Sequence, residues 1–431
     1  MYLLYSIGLS LVFILCLPYF AYQALRHGKY VSSFAERLGR LPHSLRNDGK
    51  PALWVHSVSV GEYLAARPLI NRLITEMPGW RIVVSTTTLT GQLLARKHSP
   101  SGDVFYFPFD WTFCVRRALD CVRPSAVVIV ETELWPNFIR ECRRRRIATV
   151  IANGRISPRS FNGYRRVRRF IGGVLRDISL MVMQSPADVT RALELGAEAK
   201  RVRLCGNLKY DAIEGSSAES NASVVLRLAS IPNLIVAGST ALGEERALLE
   251  ALTRVRKTPS LENTRLLIAP RHPERFDEVA GLIERSGLTL RRRSETDGSS
   301  QGAADVILLD TIGELTEVYK YAAIVFVGGS LVPRGGHNVL EPAACAKPIV
   351  VGPYTDNFRQ IVSDFSTADA IVQLKASSDE DQAVRLAAEL TRLLLDREQA
   401  AALGERALSL LKANRGATEC TVRAIRNLLS E

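Results

Sequence analysis

The stretch "AIVFVGGSLVPRGGHNVLEP", residues 323–342, joins an apolar run to a glycine-rich loop and then to a segment with helical character. Glycines permit backbone conformations that are closed to other residues, and they let a ligand come close to the main chain. A helix that begins after the loop would direct free backbone N–H groups at that ligand. The order of strand, loop and helix predicts one unit of an α/β sheet whose loop binds a phosphorylated ligand.

Apolar runs of the same kind recur beyond residue 50 and are separated by longer helical patterns. Such alternation is typical of parallel sheets that are covered by helices on both faces. The runs lie at 52–56, 81–86, 104–107, 126–131 and 148–152 in the first half, and at 233–238, 265–269, 305–309, 323–327 and 347–352 in the second. We therefore expect two doubly wound α/β domains, with ligands bound in a cleft outside the carboxyl ends of the strands.

A chain of 431 residues is too long for one ordinary domain. The small, polar stretch "EGSSAESNAS", residues 214–223, predicts a linker between two domains. The expected organisation is a membrane anchor over 1–25, an N-terminal domain over 26–213, a C-terminal domain over 224–410 and a C-terminal helix over 411–431.

The first 25 residues carry no charged side chain and are strongly apolar. Roughly 20 helical residues cross a ~30 Å hydrocarbon core, so this run is long enough to span a membrane. Arg26, Lys29, Arg37 and Arg40 follow it, and the positive-inside rule would keep them cytoplasmic. Pro18 would kink or end a helix, which leaves a shallow interfacial insertion open beside a spanning anchor or a buried core helix.

The net charge of +12 and a pI near 9.5 indicate an anionic partner. Twelve arginines lie between Arg140 and Arg176, against one acidic residue, Glu141. A surface for anionic lipid is the favoured interpretation, and a solvated helix face is the simplest alternative. Nucleic acid competes with these, but no aromatic-rich binding motif accompanies the arginines.

Seven cysteines occur, without a CxxC motif or a tight Cys/His cluster. Several of them, including Cys16, Cys205 and Cys345, have apolar neighbours in the sequence. The pattern predicts buried thiols in a reducing compartment, with no disulfide framework and no zinc site.

Carboxylates and a lysine follow strands in the first half. Glu62 opens a helix after "HSVSVG", and it is either a first-turn carboxylate stabilised by the helix dipole or a general base facing the cleft. Glu131 and Glu133 stand at the end of a buried strand, two residues apart, and would share one face if the strand continues. A carboxylate buried there needs a partner or a task, and capping the next helix is the alternative role. Lys209, in "GNLKYD", is either solvated or the partner of a phosphate or carboxylate.

Strand-end loops of the second half supply the groups of a nucleotide pocket. Gly238, Ser239 and Thr240 could donate to an anion at the N-terminus of the next helix. Arg271 could neutralise a phosphate, and Glu341 could accept hydrogen bonds from ribose hydroxyls. Neither GxGxxG after the first strand nor GxxxxGK[ST] occurs, so neither a dinucleotide fold nor ATP hydrolysis is expected.

Taken together, the motifs "HSVSVGE", "ETELWPN", "NGRIS", "GNLKYD", "APRHPER", "FVGGSLVPRGGHNVLEP" and "GPYTDNF" resemble those of the bacterial 3-deoxy-D-manno-octulosonic acid (Kdo) transferases, from the N-terminus to about residue 360. The resemblance implies a GT-B fold of two Rossmann-like domains that face a cleft, anchored at the cytoplasmic side of the inner membrane. It implies an N-terminal acceptor domain, a C-terminal donor domain, and inverting transfer of Kdo from CMP-Kdo to the lipid A precursor (lipid IVA) without metal or cofactor.

The resemblance also assigns residues. It makes Glu62 the catalytic base and implies that Glu131 and Lys209 support the transition state. The residues it implies for CMP binding are Pro270, Arg271, Ile312, Gly313, Glu314, Asn338, Val339, Leu340 and Glu341. The strand-end loops themselves, rather than the resemblance, add candidate supporting positions: Gly238, Ser239, Thr240, Gly335, Gly336, His337 and Glu133.

The expected partners are CMP-Kdo, the lipid A precursor and an anionic membrane surface, with no nucleic acid. Two other functions compete with this one. The first is a GT-B transferase that uses another sugar nucleotide, such as a UDP-sugar. The second is a membrane-tethered binder of anionic lipid without a working active site.

Overall fold

A computed structural model describes residues 1–27, 31–99, 102–213, 228, 231–295 and 304–430 of the chain. It contains two compact units. The first unit comprises Met1–Glu214 and Asn414–Glu431, and the second comprises Gly215–Ala413. The expected linker, 214–223, lies outside the described residues. Each unit is built on a seven-stranded parallel sheet, which confirms the expectation of two α/β domains.

The sheet of the first unit has the strand order β3-β2-β1-β4-β5-β6-β7. Its strands are β1 Ala52–Ser57, β2 Arg81–Thr86, β3 Val104–Tyr106, β4 Ala126–Val130, β5 Ala148–Gly154, β6 Leu180–Met183 and β7 Val202–Leu204. The strand order reverses between β1 and β4, which pair in parallel from Leu53 with Ala126 to His56 with Ile129. In a doubly wound sheet this reversal is where a ligand binds.

Helices cover both faces of this sheet. They are α1 Tyr2–His27, α2 Val31–Arg37, α3 Val60–Glu76, α4 Leu89–His98, α5 Thr112–Val122, α6 Pro136–Arg144, α7 Pro158–Arg166, α8 Arg168–Arg176, α9 Pro186–Leu195 and α17 Ala417–Ser430. On one face Trp54, Phe105 and Phe138 form a buried aromatic cluster. On the other face Leu53 and Leu69 pack in the layer that α3 and α17 cover. The strands are apolar along their whole length because both faces are buried.

The N-terminal helix α1 continues through Pro18 and presents two different faces. Its polar and aromatic side lies against the first unit, where Phe13 packs on Trp111. Its other side leaves Leu3, Leu11 and Leu15 exposed at 73%, 57% and 79%. The alternative of a buried core helix is therefore wrong. Among the residues that the structure describes, no helix has both the length and the apolar character needed to cross a membrane.

The segment 411–431 does not form the single helix that we expected. A helix over Arg397–Ala413, α16, ends the second unit, and α17 begins at Ala417 as part of the first unit. Gly416 between them adopts a φ of 101°, and the Asp211 carboxylate accepts hydrogen bonds from the backbone N–H of Gly416 and Thr418. A glycine in the left-handed region and two capped N–H groups fix this break.

The expectation that Cys205 is a buried thiol is wrong, because Cys205 forms a disulfide with Cys420 of α17. The pairing spans 215 residues of sequence. Only the return of α17 to the first unit brings the two Cα atoms to 5.5 Å, a separation that a disulfide needs. Cys16 and Cys345 are free and half-buried.

The sheet of the second unit has the strand order β10-β11-β9-β8-β12-β13-β14. Its strands are β8 Leu234–Thr240, β9 Arg265–Pro270, β10 Leu290–Arg292, β11 Val306–Leu308, β12 Ile324–Val327, β13 Ile349–Val351 and β14 Val372–Gln373. Its helices are α10 Glu244–Val255, α11 Phe276–Arg285, α12 Leu315–Val318, α13 Leu340–Ala344, α14 Arg359–Thr367, α15 Asp379–Leu395 and α16 Arg397–Ala413. The strand order reverses between β8 and β12, and the glycine-rich loop 328–339 follows β12.

Candidate active site

The candidate catalytic carboxylates of the first unit lie where its strand order reverses. Glu62 stands in the first turn of α3, after β1, and Glu131 is the first residue after β4. Because β1 and β4 are neighbours, the two residues lie at the same edge of the sheet. Their charges interact, and the nearby Glu133 takes part as well.

Glu62 closes a capping box at the start of α3. Its Oε2 accepts a 2.7 Å hydrogen bond from the Val58 N–H, and its Oε1 accepts one of 3.0 Å from the Ser59 hydroxyl. Burial raises the pKa of Glu62 to about 7, and the charges of Glu131 and Glu133 add to this, against the lowering effect of the two hydrogen bonds. Both interpretations of Glu62 fit, since a helix cap with a pKa near 7 is also suited to general base chemistry.

Glu131 adopts a φ of 60°, so the chain turns at the residue where β4 ends. The strand does not continue, and the expectation that Glu131 and Glu133 share a strand face does not apply. The Glu131 N–H donates to the Ala152 carbonyl at 2.8 Å, which holds this left-handed residue against β5. Left-handed geometry at a non-glycine residue is uncommon and is found often at functional sites.

Lys209 lies in a short 3₁₀ turn, Leu208–Tyr210, after β7. Its Nζ is 3.8 Å from Glu131 Oε1, so the structure brings together the lysine and the carboxylate to which the resemblance assigned one task. The turn is held by Asn153 of the "NGRIS" loop, whose Oδ1 accepts a 2.9 Å hydrogen bond from the Leu208 N–H. The sequence analysis did not predict this role of Asn153. In the structure its side chain is buried and its backbone is left-handed, with a φ of 58°.

In the second unit, the glycine-rich loop that follows β12 is held by Glu244. This buried carboxylate, in the first turn of α10, accepts hydrogen bonds from four backbone N–H groups, at distances from 2.7 to 2.9 Å. The donors are Ala241, Gly329, Ser330 and Leu331. The position at the start of α10 where we expected a ligand anion therefore holds a carboxylate of the protein. No sequence pattern predicts this role, because Glu244 looks like an ordinary first-turn acid.

The neighbouring Glu245 ties two further loops together. The Thr240 hydroxyl donates to its Oε1 at 2.9 Å, and Arg275 pairs with both of its carboxylate oxygens. Thr240 is fully buried and braces α10, while Gly238 is packed under the ring of Tyr319. Ser239 joins them in this turn with a φ of 56°.

The turn at Gly335 and Gly336 is backed by the "GPYTDNF" segment. Both glycines have positive φ, 85° and 72°, and a Cβ on Gly335 would lie 2.7 Å from the amide nitrogen of Asn357. Asn357 in turn donates to the carbonyls of Arg334 and Gly336. Larger residues would displace Asn357 and open the turn.

His337, Asn338 and Glu341 follow this turn. Asn338 donates to Glu341 Oε1 at 3.0 Å, and the Thr316 hydroxyl donates to Oε2 at 3.2 Å. Burial raises the pKa of Glu341, and the charge of Arg271 opposes the rise. Burial lowers the pKa of His337 to about 4, with the charge of Arg271 as the next cause. Arg271 is exposed at the end of β9 and lies near both side chains.

The remaining predicted donor-site residues are placed around these. Pro270 closes β9 directly before Arg271. Leu340 begins the short helix α13, and Val339 is its N-cap residue. Ile312 is 82% exposed, Gly313 has a φ of 93°, and the Glu314 carboxylate is paired with Arg293 at 2.9 Å. In the described part of the chain, no group of three or more His, Cys, Asp or Glu side chains is arranged to hold a metal ion.

Each unit thus carries a set of polar side chains at the reversal point of a parallel sheet. The first set offers a carboxylate with a pKa near 7 beside a Lys–Glu pair, and the second offers glycine turns, an exposed arginine and a buried carboxylate. The fold is of the GT-B type. The HepE protein of Anabaena, solved in complex with UDP, has a similar fold with a TM-score of 0.56, at 15% identity over 88% of this chain and 100% of that one.

Residues 32–212 match the family described as 3-deoxy-D-manno-octulosonic-acid transferase (kdotransferase). The 3-deoxy-D-manno-octulosonic acid transferase of Haemophilus influenzae is 34% identical over 378 residues, which cover 85% of this chain and 84% of that protein. The C-terminal CMP-Kdo binding domain of WaaA from Acinetobacter baumannii is 33% identical over 44% of this chain and 96% of the domain, with a TM-score of 0.39. The chain belongs to the Kdo transferase family, glycosyltransferases of lipopolysaccharide biosynthesis.

Proposed function

We propose that this Kdo transferase moves Kdo from CMP-Kdo to the lipid A precursor, lipid IVA, with inversion at the anomeric carbon and without a metal ion. The observation that carries the proposal is the environment of Glu62, whose pKa of about 7 belongs to a carboxylate able to take a proton near neutral pH.

In this mechanism the Glu62 carboxylate removes the proton of the acceptor hydroxyl while that oxygen attacks the anomeric carbon of Kdo. The bond from the anomeric carbon to the phosphate oxygen breaks, and CMP leaves with the electron pair. A single displacement inverts the anomeric centre, and it requires one base and no second carboxylate as nucleophile. The Lys209–Glu131 pair at the same sheet edge supports the charge that develops during transfer.

The second unit holds the donor nucleotide in this proposal. Arg271 neutralises the phosphate, and the buried Glu341, fixed by Asn338 and Thr316, accepts hydrogen bonds from ribose hydroxyls. Gly335 and Gly336 let the main chain approach the nucleotide. In this proposal Ile312, Gly313 and Glu314 line one side of the nucleotide site.

We also propose that the protein works at the cytoplasmic face of the inner membrane. The outward side of α1 exposes a continuous set of apolar side chains, which include Leu3, Leu11 and Leu15. Helix α7 has no buried residue and ends in Arg165 and Arg166, which are exposed. An apolar helix face and exposed arginines on the same unit suit an interface of anionic lipid and a phosphorylated, acylated acceptor.

Calorimetric titration of the full chain with CMP and with UDP tests the donor. Tight CMP binding and no measurable UDP binding are expected, whereas preference for UDP would favour a transferase of another sugar nucleotide. Transfer that continues in EDTA and a product with inverted anomeric configuration by NMR are the expected results for the reaction. Loss of transfer in EDTA would contradict the metal-free mechanism.

A further inference from the structure

The "WPN" part of the "ETELWPN" motif carries no chemistry of its own, yet it lies directly after the carboxylates of the acceptor site. We propose that the docked helix α1 is a positioning element for the loop 131–135, and that the buried Asp110 links the two. This inference rests on the proposed function, because it assigns a task to the segment that carries Glu131 and Glu133.

The first link runs through the carboxylate of Asp110, which is only 2% exposed. Its Oδ2 accepts a 3.0 Å hydrogen bond from the Tyr5 hydroxyl of α1 and another of 3.0 Å from the Asn137 N–H. Its Oδ1 accepts a 2.8 Å hydrogen bond from the Phe138 N–H. One carboxylate therefore caps the first turn of α6 and holds α1 at the same time.

A second link is direct. The Asn137 side-chain amide donates to the Ser6 hydroxyl of α1 at 3.0 Å and to the Asp110 carbonyl at 2.6 Å. If α1 moves away, the Asn137 amide loses the Ser6 hydroxyl as a hydrogen-bond partner. Because Asn137 is only 4% exposed, water does not readily replace that partner. Two adjacent residues of α1, Tyr5 and Ser6, thus contact the same turn of α6.

These links reach the acceptor site because the loop between β4 and α6 is short. β4 ends at Val130, and α6 begins at Pro136. The sheet fixes the first end of the loop, and the Asp110 cap fixes the second. When the Tyr5 hydroxyl donates to Asp110, both ends of the loop are fixed, and Glu131 stays beside Lys209. Without α1, the second end loses two of its hydrogen bonds, and the carboxylates lose a fixed position.

In this arrangement catalysis requires α1 to be docked on the first unit, and the other face of α1 is apolar and exposed. It therefore couples contact of α1 with an apolar surface to the geometry of the site, through residues that touch neither substrate. Tyr5, Ser6 and Asp110 are positioning residues in this scheme.

The test compares Tyr5→Phe with Tyr2→Phe in the full chain, assayed with detergent-dispersed acceptor. Each variant removes one hydroxyl that donates to a carboxylate. The Tyr5 hydroxyl donates to Asp110 at 3.0 Å, and the Tyr2 hydroxyl donates to Asp177 at 3.2 Å. Both keep a ring packed against Phe170, with centroids at 6.0 and 5.3 Å. Of the two hydroxyls, only that of Tyr5 bonds to the carboxylate that caps α6. Tyr2→Phe keeps the Tyr2 ring that contacts Arg140 of α6, so it is a matched control for loose docking of α1.

Tyr5→Phe should lower kcat roughly tenfold, in line with the cost of a small misplacement of catalytic groups, while the Kd for CMP stays unchanged. Tyr2→Phe should stay within about twofold of the wild type. Equal kcat values for the two variants would overturn the inference.

Hydrogen exchange gives a readout that does not depend on activity. The amides of Asn137 and Phe138 should exchange faster in Tyr5→Phe and in Ser6→Ala than in Tyr2→Phe. Unchanged exchange in both would also overturn the link. A wild-type chain that transfers no Kdo would refute the proposed function instead, and the exchange data would still decide whether α1 orders this turn.

Discussion

Lys209 Nζ lies 3.8 Å from Glu131 Oε1, although the two residues are 78 positions apart and follow different strands of the first sheet. The Glu131 backbone turns left-handed to reach this position, and Asn153 holds the turn that carries Lys209. The ammonium group lies beside one of three carboxylates whose charges interact, Glu62, Glu131 and Glu133. The pair therefore affects both the geometry and the charge of the site.

Replacement of Lys209 by methionine should lower kcat by roughly 10- to 100-fold, since one charged group that stabilises developing charge is lost. Lys209→Arg keeps the charge at a different reach and should recover part of the rate. Steady-state kinetics at saturating CMP-Kdo would measure both. If Lys209→Met retained the full kcat, the pair would have no part in the transition state.

The rate should depend on pH through Glu62. A general base acts in its deprotonated form, and the pKa of Glu62 is raised from 4.5 to about 7. The value of kcat/KM should therefore fall as the pH drops below about 7 and level off above it. Glu62→Gln should lose roughly 100-fold or more in rate and should lack this inflection.

The control for this prediction is the affinity for CMP, which Glu62→Gln should leave unchanged because Glu62 belongs to the first unit. A wild-type profile that is flat from pH 5 to pH 8 would contradict the assignment of the base.

Substitution of Glu244 should damage the donor site from a distance. Glu244→Gln replaces one of the two acceptor oxygens with an NH2 group. One pair of backbone N–H groups then loses its acceptor, either Ala241 and Gly329 on Oε2 or Ser330 and Leu331 on Oε1. We expect a loss of about 1–3 kcal/mol in the free energy of unfolding. We expect CMP to bind about tenfold more weakly, which corresponds to ~1.4 kcal/mol.

Glu250→Gln is the matched control, because Glu250 is exposed on the same helix. Thermal unfolding and calorimetry would compare the two variants. If Glu244→Gln had the same stability and the same CMP affinity as Glu250→Gln, the four hydrogen bonds would not organise the loop.

The outward face of α1 should determine binding to lipid vesicles. Burial of a leucine side chain contributes about 1.5–3 kcal/mol, so serine at positions 3, 11 and 15 together should lower vesicle partitioning at least ~100-fold. Serine at three other exposed leucines, Leu193, Leu204 and Leu395, provides the control. Co-sedimentation with vesicles of anionic lipid is the measurement, and equal pelleting of the two triple variants would contradict the role of α1.

Much of this architecture could be predicted from the sequence. All ten predicted strands occur, because a strand buried on both faces leaves a continuous apolar run. The four strands that were missed, β6, β7, β10 and β14, have two to four residues each. Three of them, β7, β10 and β14, contain arginine or glutamine and so have no continuous apolar run. The fourth, β6, has only four apolar residues, and a run that short is not distinguished from a buried helix segment by periodicity.

The site was predictable only in part, for a related reason. Glu62 and Glu131 follow the predicted strands β1 and β4, so parallel topology alone places them at one sheet edge. Lys209 follows β7, which was not predicted, so its place beside Glu131 came only from the structure. Glu244, Asp110 and the Cys205–Cys420 disulfide depend on partners between 27 and 215 residues away. No local pattern marks such pairs, and only the folded chain brings them together.

The most direct test of the account is mass spectrometry of the tetraacylated lipid A precursor after incubation with the full chain and freshly generated CMP-Kdo. Wild type and Glu62→Gln should be run side by side, with donor formation verified in each reaction. The account predicts a mass gain of one or more whole Kdo residues with the wild type and almost none with Glu62→Gln. No gain with the wild type would contradict the proposed reaction, and an equal gain with both would contradict the role of Glu62.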